Sequence, residues 1–497
     1  MGWNDGFSYP PLKTDTQTRV IVLAPGQGDD PIRCFLLVID LDEDWDPQKT
    51  MSESRPSLTP RRMCFMEARG PDGEVLQQAF TVPALRFNPE KNSGLYPFQR
   101  YMALSYVWGD QSRRYEIFLD GKPFYVGYNL YMALKHLRRQ VAIVALGVPQ
   151  LASSLEARAD DVEALGHHLQ SEGHILWIDT ICINQADIVE REAQIKLMSR
   201  IYQQADHVHA ELGDSEGEAG RELLQLLHTI IKAGGACDSA QQAFSESHPE
   251  GPSVISLSDD SIMSAIASQY NNFQSRSTMN AQVNIPNAGK PKLEDHGIPP
   301  EDHPFWARWR LFLSSTYFRR LWVVQEFSLA KRVTLRFGNV AVEPGLVSDC
   351  IGYLVRYSTN RSFYLFSKDD SENKTQFSGF LDLVKQRRLV SDLTDRDMEQ
   401  SSLLSKLDFA RDTAATDLRD KIYGMLGLAS DGPNFHDLVS YLNCVEDVYI
   451  GFALRFIGKG QGLEMLYQVH SRVSETLCIP TWVPVSEEEM VMQTVPR

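Results

Sequence analysis

The sequence is short of the residues that would mark several common functions. Lys and Arg number 49 against 65 Asp and Glu, a formal charge of -16, so the concentrated basic surface that grips a phosphate backbone is missing. The basic pairs Arg61-Arg62, Arg113-Arg114, Arg138-Arg139 and Arg319-Arg320 are isolated and read as solvated faces. Cysteine is scarce as well. Cys34, Cys64, Cys182, Cys237, Cys350, Cys444 and Cys478 are odd in number, scattered and free of any CxxC pair. That excludes a disulfide framework or an ordinary structural zinc site and fits a reducing compartment. The N-terminus, MGWNDGFSYPPLK, lacks the apolar stretch of a secretory signal, and Gly2 is not followed by the Ser or Thr of a myristoylation signal. The longest apolar runs, such as residues 141–148, fall well short of the ~18 residues that span a bilayer. These gaps predict a soluble, cytoplasmic protein with no nucleic-acid or membrane partner. A nucleotide-binding P-loop is also missing: residues 458–462, GKGQG, have neither its spacing nor its Ser/Thr and read as a turn. No repeat of 20 to 50 residues is present.

What is there is a globular composition. Hydrophobic residues make up 43% of 497, enough for a substantial core spread over two or three domains. Residues 1–17 read as a polar tail. Strand-like runs follow at 19–23 and 32–39, then a polar loop at 42–62 rich in Asp, Ser, Pro and Arg. The short apolar run 102–108, stopped by Gly109-Asp110, reads as a buried strand. Residues 115–126 read as a hairpin about Asp120-Gly121, the dipeptide type I′ turns prefer, and 129–139 as a helix. After a polar, acidic stretch at 150–173, residues 175–178 form a second buried strand that ends in Asp179. A helix starts near Asp187, whose spacing to Glu190 resembles a capping box. Residues 207–212 read as a strand closed by Gly213-Asp214.

Residues 235–303, rich in Ser, Gln, Asn, Asp and Pro, read as a disordered insertion. Beyond it, Phe318, Leu321, Trp322, Gln325 and Leu329 lie on one helical stripe, and 333–337 is a strand. Helical patterns dominate from 346 to the end, notably 403–410, 421–428 and 445–456. The alternation predicts a parallel α/β sheet with helices on both faces. Such sheets gather their sites at the carboxyl ends of strands, here 105–110, 179–185 and the 213–214 turn.

Three segments carry a family resemblance: YMALSYVWGD (101–110), LWIDTICINQ (176–185) with its continuation through Glu190-Arg191, Gln194, Met198, Ile201-Tyr202 and Ala205, and RLWVVQE (320–326). Together, in this order, they resemble the three blocks of the fungal heterokaryon-incompatibility (HET) domain. Residues 19–36 resemble its usual lead-in, while TDLRDKIY (416–423) and IPTWVP (479–484) resemble segments common downstream in these proteins. The resemblance implies a HET domain over 18–345, interrupted at 235–303, with a mainly helical region over 346–497. It implies a role in self/non-self recognition and programmed cell death, with self-association and an unidentified protein partner.

HET domains are in turn similar to Toll/interleukin-1 receptor (TIR) domains, some of which cleave NAD⁺. That similarity implies a TIR-like, flavodoxin-like parallel sheet and matches Trp322-Val-Val-Gln-Glu326 to the TIR WxxxE segment, making Glu326 the catalytic carboxylate. NAD⁺ would be a substrate, and no cofactor is implied. One carboxylate suffices chemically: nicotinamide leaves a cationic pyridinium as a neutral molecule, so no general acid need protonate it. Trp322 and Glu326, at i and i+4, share a helical face on which the indole would shield the carboxylate. Substrate would meet Ser105, Tyr106, Trp108, Asp179, Asn184, Gln185 and Trp322. Each has a plainer reading: Glu326 paired with an Arg at the helix rim, Asp179 capping the next loop, Asn184 and Gln185 satisfying loop backbone, Ser105 structural, Trp108 and Trp177 core, Glu190 a helix cap. Cys182 with His174 as base lacks any thiol motif and reads as a small buried hydrophobe. His207 and His209 face one side of a strand without a third ligand for zinc. The alternative to an enzyme is an interaction module that propagates assembly. A Glu326 facing a pocket shared with Ser105 and Asp179 favours the enzyme; a Glu326 in bulk solvent favours the module.

Overall fold

The computed structural model describes residues 4, 6–24, 29–42, 64–69, 75–80, 101–139, 174–213, 217–247, 291–338, 340–358, 374–391, 402–411, 413–467, 480 and 483. Residues 141–148, 150–173, nearly all of 42–62 and most of 479–484 lie outside them. In chain order the first strands are β1 (Gln17–Leu23), β2 (Arg33–Asp40), a separate antiparallel pair β3 (Cys64–Arg69) and β4 (Val75–Phe80), then β5 (Met102–Tyr106), β6 (Tyr115–Leu119) and β7 (Lys122–Val126). Asp120 and Gly121 join β6 to β7 with φ of 50° and 76°, the paired positive values of the type I′ turn that the dipeptide announced. Next come α1 (Tyr128–Arg139), β8 (His174–Trp177), the single turn α2 (Asp179–Cys182), α3 (Ile188–Gln204), β9 (His207–Glu211) and α4 (Gly217–Ser247). They are followed by α5 (Phe305–Leu313), α6 (Leu321–Ser328), β10 (Val333–Phe337), β11 (Val340–Val342) and α7 (Pro344–Tyr357). The remaining helices are α8 (Lys374–Ser391), α9 (Leu403–Ala410), α10 (Asp420–Leu426), α11 (Val445–Gly458) and α12 (Gly462–Tyr467).

Nine strands form one sheet in the order β11-β10-β9-β5-β8-β1-β2-β6-β7. The sheet is mixed, which corrects the all-parallel expectation. Only β10, β9, β5 and β8 form a continuous parallel block; β1 runs antiparallel to both β8 and β2. Numbered among themselves, the four parallel strands lie in the order 2-1-3-4, the start of a doubly wound sheet whose direction reverses between β5 and β9. Helices cover both faces. Side chains alternate along β5, so Ser105 meets α6 on one face while Tyr106 faces α1 on the other. The apolar parts of both regions join a single buried cluster that runs across residue 345, so that position is not a gap between cores.

Several local expectations change. The N-terminal residues are docked rather than a free tail: the Asn4 side-chain amide donates to the Tyr125 carbonyl at 2.9 Å and accepts from its N–H at 2.8 Å, and Phe7 meets Phe124 edge-on. Order also reaches into both ends of the stretch read as disordered. Helix α4 continues to Ser247, and Leu293 and Ile298 are buried. The stripe from Phe318 to Leu329 is not one helix. A 3-10 turn, Thr316–Arg319, precedes α6, and Arg320 between them is extended, with φ -69° and ψ 131°. Arg138 is buried against the carbonyls of Pro31 and Asp30, not solvated.

The start of α3 was legible. Asp187 occupies the cap position, its carboxylate accepting from the N–H groups of Val189 and Glu190 at 3.0 and 3.1 Å. Removing this cap in Asp187→Ala is expected to cost ~1 kcal/mol. The cost should read out as a lower urea midpoint with an unchanged slope; an unaltered midpoint would mean that the cap contributes nothing.

Candidate functional site

Three of the quoted segments converge at the carboxyl end of β5. Ser105 is the penultimate residue of that strand, and its hydroxyl donates to the Glu326 carboxylate of α6. With its only proton so used, Ser105 Oγ accepts from the Tyr317 hydroxyl at 2.7 Å. The result is a buried relay from Tyr317 through Ser105 to Glu326. Glu326 is only 5% exposed. Burial pushes its carboxyl up to about 7, against the opposing pull of the Arg320 guanidinium and the Ser105 bond; Asp179 adds to the rise and Tyr202 opposes it. Glu326 is therefore neither a rim carboxylate nor in bulk solvent.

Asp179 sits at the end of β8 and starts α2, where its carboxylate takes the N–H and hydroxyl of Thr180 at 2.7 and 3.1 Å. The indole of Trp108, 37% exposed, donates to it at 3.0 Å. Burial raises the Asp179 carboxyl, with Arg320 as the largest opposing influence. Thr180 also meets the Tyr106 hydroxyl. Arg320 donates to the Tyr106 carbonyl and, among the described residues, is the one cation that acts on both Asp179 and Glu326.

The loop residues hold backbone. The Gln185 amide donates to the Asp179 carbonyl at 3.0 Å, and Asn184 Oδ1 accepts weakly from Ala186 N–H. Glu190 does not close a capping box. It accepts from Asn184 N–H at 2.7 Å and pairs with buried Arg19 through both oxygens. Trp177 is core, its ring edge-on to Tyr202.

Trp322 departs from expectation. Its indole donates to Asp420 of α10 at 3.1 Å, so its polar edge is committed to the C-terminal region. Asp420 also accepts from the Tyr441 hydroxyl, and burial raises its carboxyl to about 6. The segment 416–423 thus acts as the seat of α6. Ala414 exchanges backbone hydrogen bonds with Arg319 and Leu321, and Gln325 reaches the Gly424 carbonyl at 2.6 Å. A Cβ on Gly424 would stand 2.8 Å from the Leu321 side chain, so a larger residue there would require Leu321 to shift.

Tyr202, Tyr317 and Arg320 belong to this cluster and were not singled out as site residues. Tyr202 and Arg320 fall within the quoted segments, so their place in the motifs was a usable signal. Tyr317 had none, because the 3-10 turn that aims it is not periodic in sequence. Cys182 is fully buried, accepts from Ile178 N–H and is pushed up to about 12 by burial, so a thiolate is not accessible here. Burial and His209 lower His207 to about 3. No cluster of three or more metal-ligating side chains occurs among the described residues.

A separate cleft of about 110 Å³ lies between the ends of β5 and β9 and the first turns of α1, lined by Tyr106, Tyr128, Asn129 and Glu211 among others. It opens on the Tyr106 face of the sheet, opposite Glu326.

A doubly wound parallel block with buried carboxylates near its strand ends defines the class as an α/β domain, and sequence comparison narrows it. Residues 148–326 match the family model described as heterokaryon incompatibility protein (HET). The chain is also similar to heterokaryon incompatibility protein 6, OR allele, of Neurospora crassa: 27% identical over 417 residues, 78% of this chain and 53% of that protein. The chain carries this HET match over about a third of its length and spans about half the length of that curated relative. No solved structure matches it.

Proposed function

We propose that this chain is an effector of fungal self/non-self recognition whose HET unit, residues 18–345, hydrolyses NAD⁺ at the nicotinamide–ribose bond. Glu326 is the catalytic carboxylate. The observation that carries the reading is its burial at the carboxyl end of a parallel strand, hydrogen-bonded to Ser105, with a carboxyl raised to about 7. The 2-1-3-4 strand order supports a TIR-like reading of the same domain.

In the proposed step the C1′–N bond breaks and its electron pair leaves with neutral nicotinamide. Ionised Glu326 stabilises the cationic ribosyl centre, and a water oxygen bonds to C1′ while its proton passes to solvent. Asp179 and Trp108 stand at the neighbouring strand end to meet the substrate, with Asn184, Gln185 and Trp322 around them, while Tyr106 holds Thr180 beside Asp179 from the other face of the sheet. The enclosure of Glu326 by Ser105, Tyr202 and Arg320 implies a closed resting state. Opening would follow self-association and engagement of an unidentified protein partner in the cytoplasm, and cell death would follow from NAD⁺ loss. The same enclosure favours a second reading, in which the cluster is structural and the domain is a non-enzymatic assembly module.

Nicotinamide release from NAD⁺ by concentrated protein separates the two. Release by the wild type and none by Glu326→Ala is the expected result. Equal release by both rules out Glu326 as the catalyst. Release by neither, with self-association confirmed in the same samples, establishes the assembly module instead.

A further inference from the structure

The relay behind Glu326 has a fixed sense. Tyr317 is fully buried; its hydroxyl meets Ser105 Oγ at 2.7 Å and makes no other hydrogen bond among the described residues. Burial holds that hydroxyl well above its usual range, so it keeps its proton. Ser105 Oγ is the acceptor for it. Ser105 has a single proton of its own, which then goes to Glu326 Oε2. Oε2 is left as an acceptor.

The opposite sense is costly. A protonated Oε2 would donate to Ser105, and Ser105 would turn its proton to Tyr317. The Tyr317 proton would then be buried with no acceptor, which carries the full desolvation penalty of a stranded donor. The neutral acid must therefore keep its proton off Oε2 or strand Tyr317, whereas the carboxylate fits the relay unchanged. The relay thus favours the ionised form against the effect of burial. The other groups facing the carboxylate act without Tyr317. Arg320 at the start of α6 draws it down, Asp179 beyond β8 pushes it up, and Tyr202 of α3 offers a weaker hydroxyl. The Tyr106 hydroxyl, next along β5, feels the Glu326 charge in turn.

The backbone holds the Tyr317 ring in place. Ser315 caps the 3-10 turn, its Oγ accepting from Tyr317 N–H at 3.4 Å, and the Tyr317 carbonyl accepts from Arg320 N–H at 3.2 Å. Phe318 meets the ring edge-on. One continuous stretch, 316–326, therefore sets both ends of the relay against β5.

We propose that Tyr317 is a positioning residue: acting through Ser105, it holds Glu326 Oε2 as an acceptor and keeps the carboxylate available in its ionised form. Its place in hydrolysis rests on the reading of Glu326 as the catalyst; its effect on the carboxylate does not.

Urea midpoints of the full chain from pH 4 to 9 test that effect without substrate. Wild type and Glu326→Gln should diverge up to about pH 7. With Tyr317→Phe in both, the divergence should extend to a pH higher by roughly 0.5 to 1, the contribution of one hydrogen bond expressed as proton affinity. A merely structural loss lowers both members of the pair at every pH and leaves the divergence where it was. Ser105→Ala should move it at least as far, and adding Tyr317→Phe to Ser105→Ala should move it no further. An unmoved divergence in folded Tyr317→Phe overturns the proposal, and so does a further move in the double variant. If Tyr317→Phe does not fold, an unmoved divergence in Ser105→Ala overturns it equally. Nicotinamide release reads the catalytic half separately. In Tyr317→Phe, kcat at pH 7 should fall ~2- to 5-fold at unchanged KM and recover by pH 9. A deficit that persists undiminished at pH 9 overturns the positioning role. No release from wild type removes the hydrolytic reading, and the midpoints then decide the proposal alone.

Discussion

Replacing Arg19 by Met is expected to destabilise the fold by ~3–5 kcal/mol, the cost of stranding a buried partner charge. Arg19 is 1% exposed on β1, yet its guanidinium leaves no donor direction idle. Nη1 and Nη2 meet the two Glu190 oxygens at 2.6 and 2.9 Å, Nη1 also reaches the Cys182 carbonyl at 3.1 Å, and Nε and Nη2 hold the Pro10 carbonyl at 2.9 and 2.7 Å. The planar fork matches the carboxylate in a way that Lys could not. Tyr9 stacks beneath it at 4.9 Å. One side chain therefore pins the N-terminal segment, β1, the end of α2 and the start of α3.

The pair also sets the site. Glu190 accepts from Asn184 N–H, so it shapes the loop from which Gln185 reaches back to Asp179. Without Arg19, Glu190 loses its bidentate partner at a 14% exposed position. Removing both charges should be milder than removing one, because replacing a buried pair by apolar groups can be near neutral. Urea unfolding of Arg19→Met, Glu190→Met and the double variant measures this. The expected pattern is a double variant more stable than Arg19→Met alone. Strictly additive losses would show that the two residues act independently and would remove this account of the loop.

How much of this was legible from sequence follows physical range. Short apolar runs stopped by Gly or Asp gave β5, β8, β9 and β10, because a buried strand needs little more than β-branched and apolar residues of the right length. The turn at Asp120-Gly121 and the cap at Asp187 rest on contacts within four residues and were readable for that reason. Strand direction was not. That β1 lies antiparallel beside β8 depends on a pairing more than a hundred residues apart, and nothing in VIVL encodes the sense of that neighbour. In the candidate site, the i, i+4 spacing placed Trp322 and Glu326 on one helix, but not the partner each would find. Trp322 turned to Asp420 and Glu326 to Ser105, 98 and 221 residues away. Arg320 looked like half of a solvated basic pair; it became central because the backbone breaks there, which periodicity cannot report.

Changing Glu326 to Gln should make the protein more stable at neutral pH, by on the order of 3 kcal/mol at pH 8. The sign follows from its raised carboxyl, about 7 in the folded chain against an ordinary 4.5. Below pH 4.5 both the folded and unfolded chains carry the neutral acid, and wild type and variant should match. Between about 4.5 and 7 the unfolded chain has released the proton while the folded chain still holds it, so wild-type stability falls as pH rises. Above 7 the deficit is complete and constant. Gln imitates the neutral acid, its carbonyl oxygen can still accept from Ser105, and it cannot ionise, so this part of the decline should vanish. Asp420, raised to about 6, and Asp179, also raised, contribute declines of the same sign, and these should persist in the variant. Urea midpoints of wild type and Glu326→Gln from pH 4 to 8 check it: the two curves should meet at the acid end and diverge by pH 7. Parallel curves would mean that Glu326 ionises normally and that its enclosure is looser than its bonds to Ser105 and its neighbours indicate. Divergence would show a fold that bears a cost at neutral pH which one amide would remove, the pattern expected of a carboxylate kept for what its ionised form does.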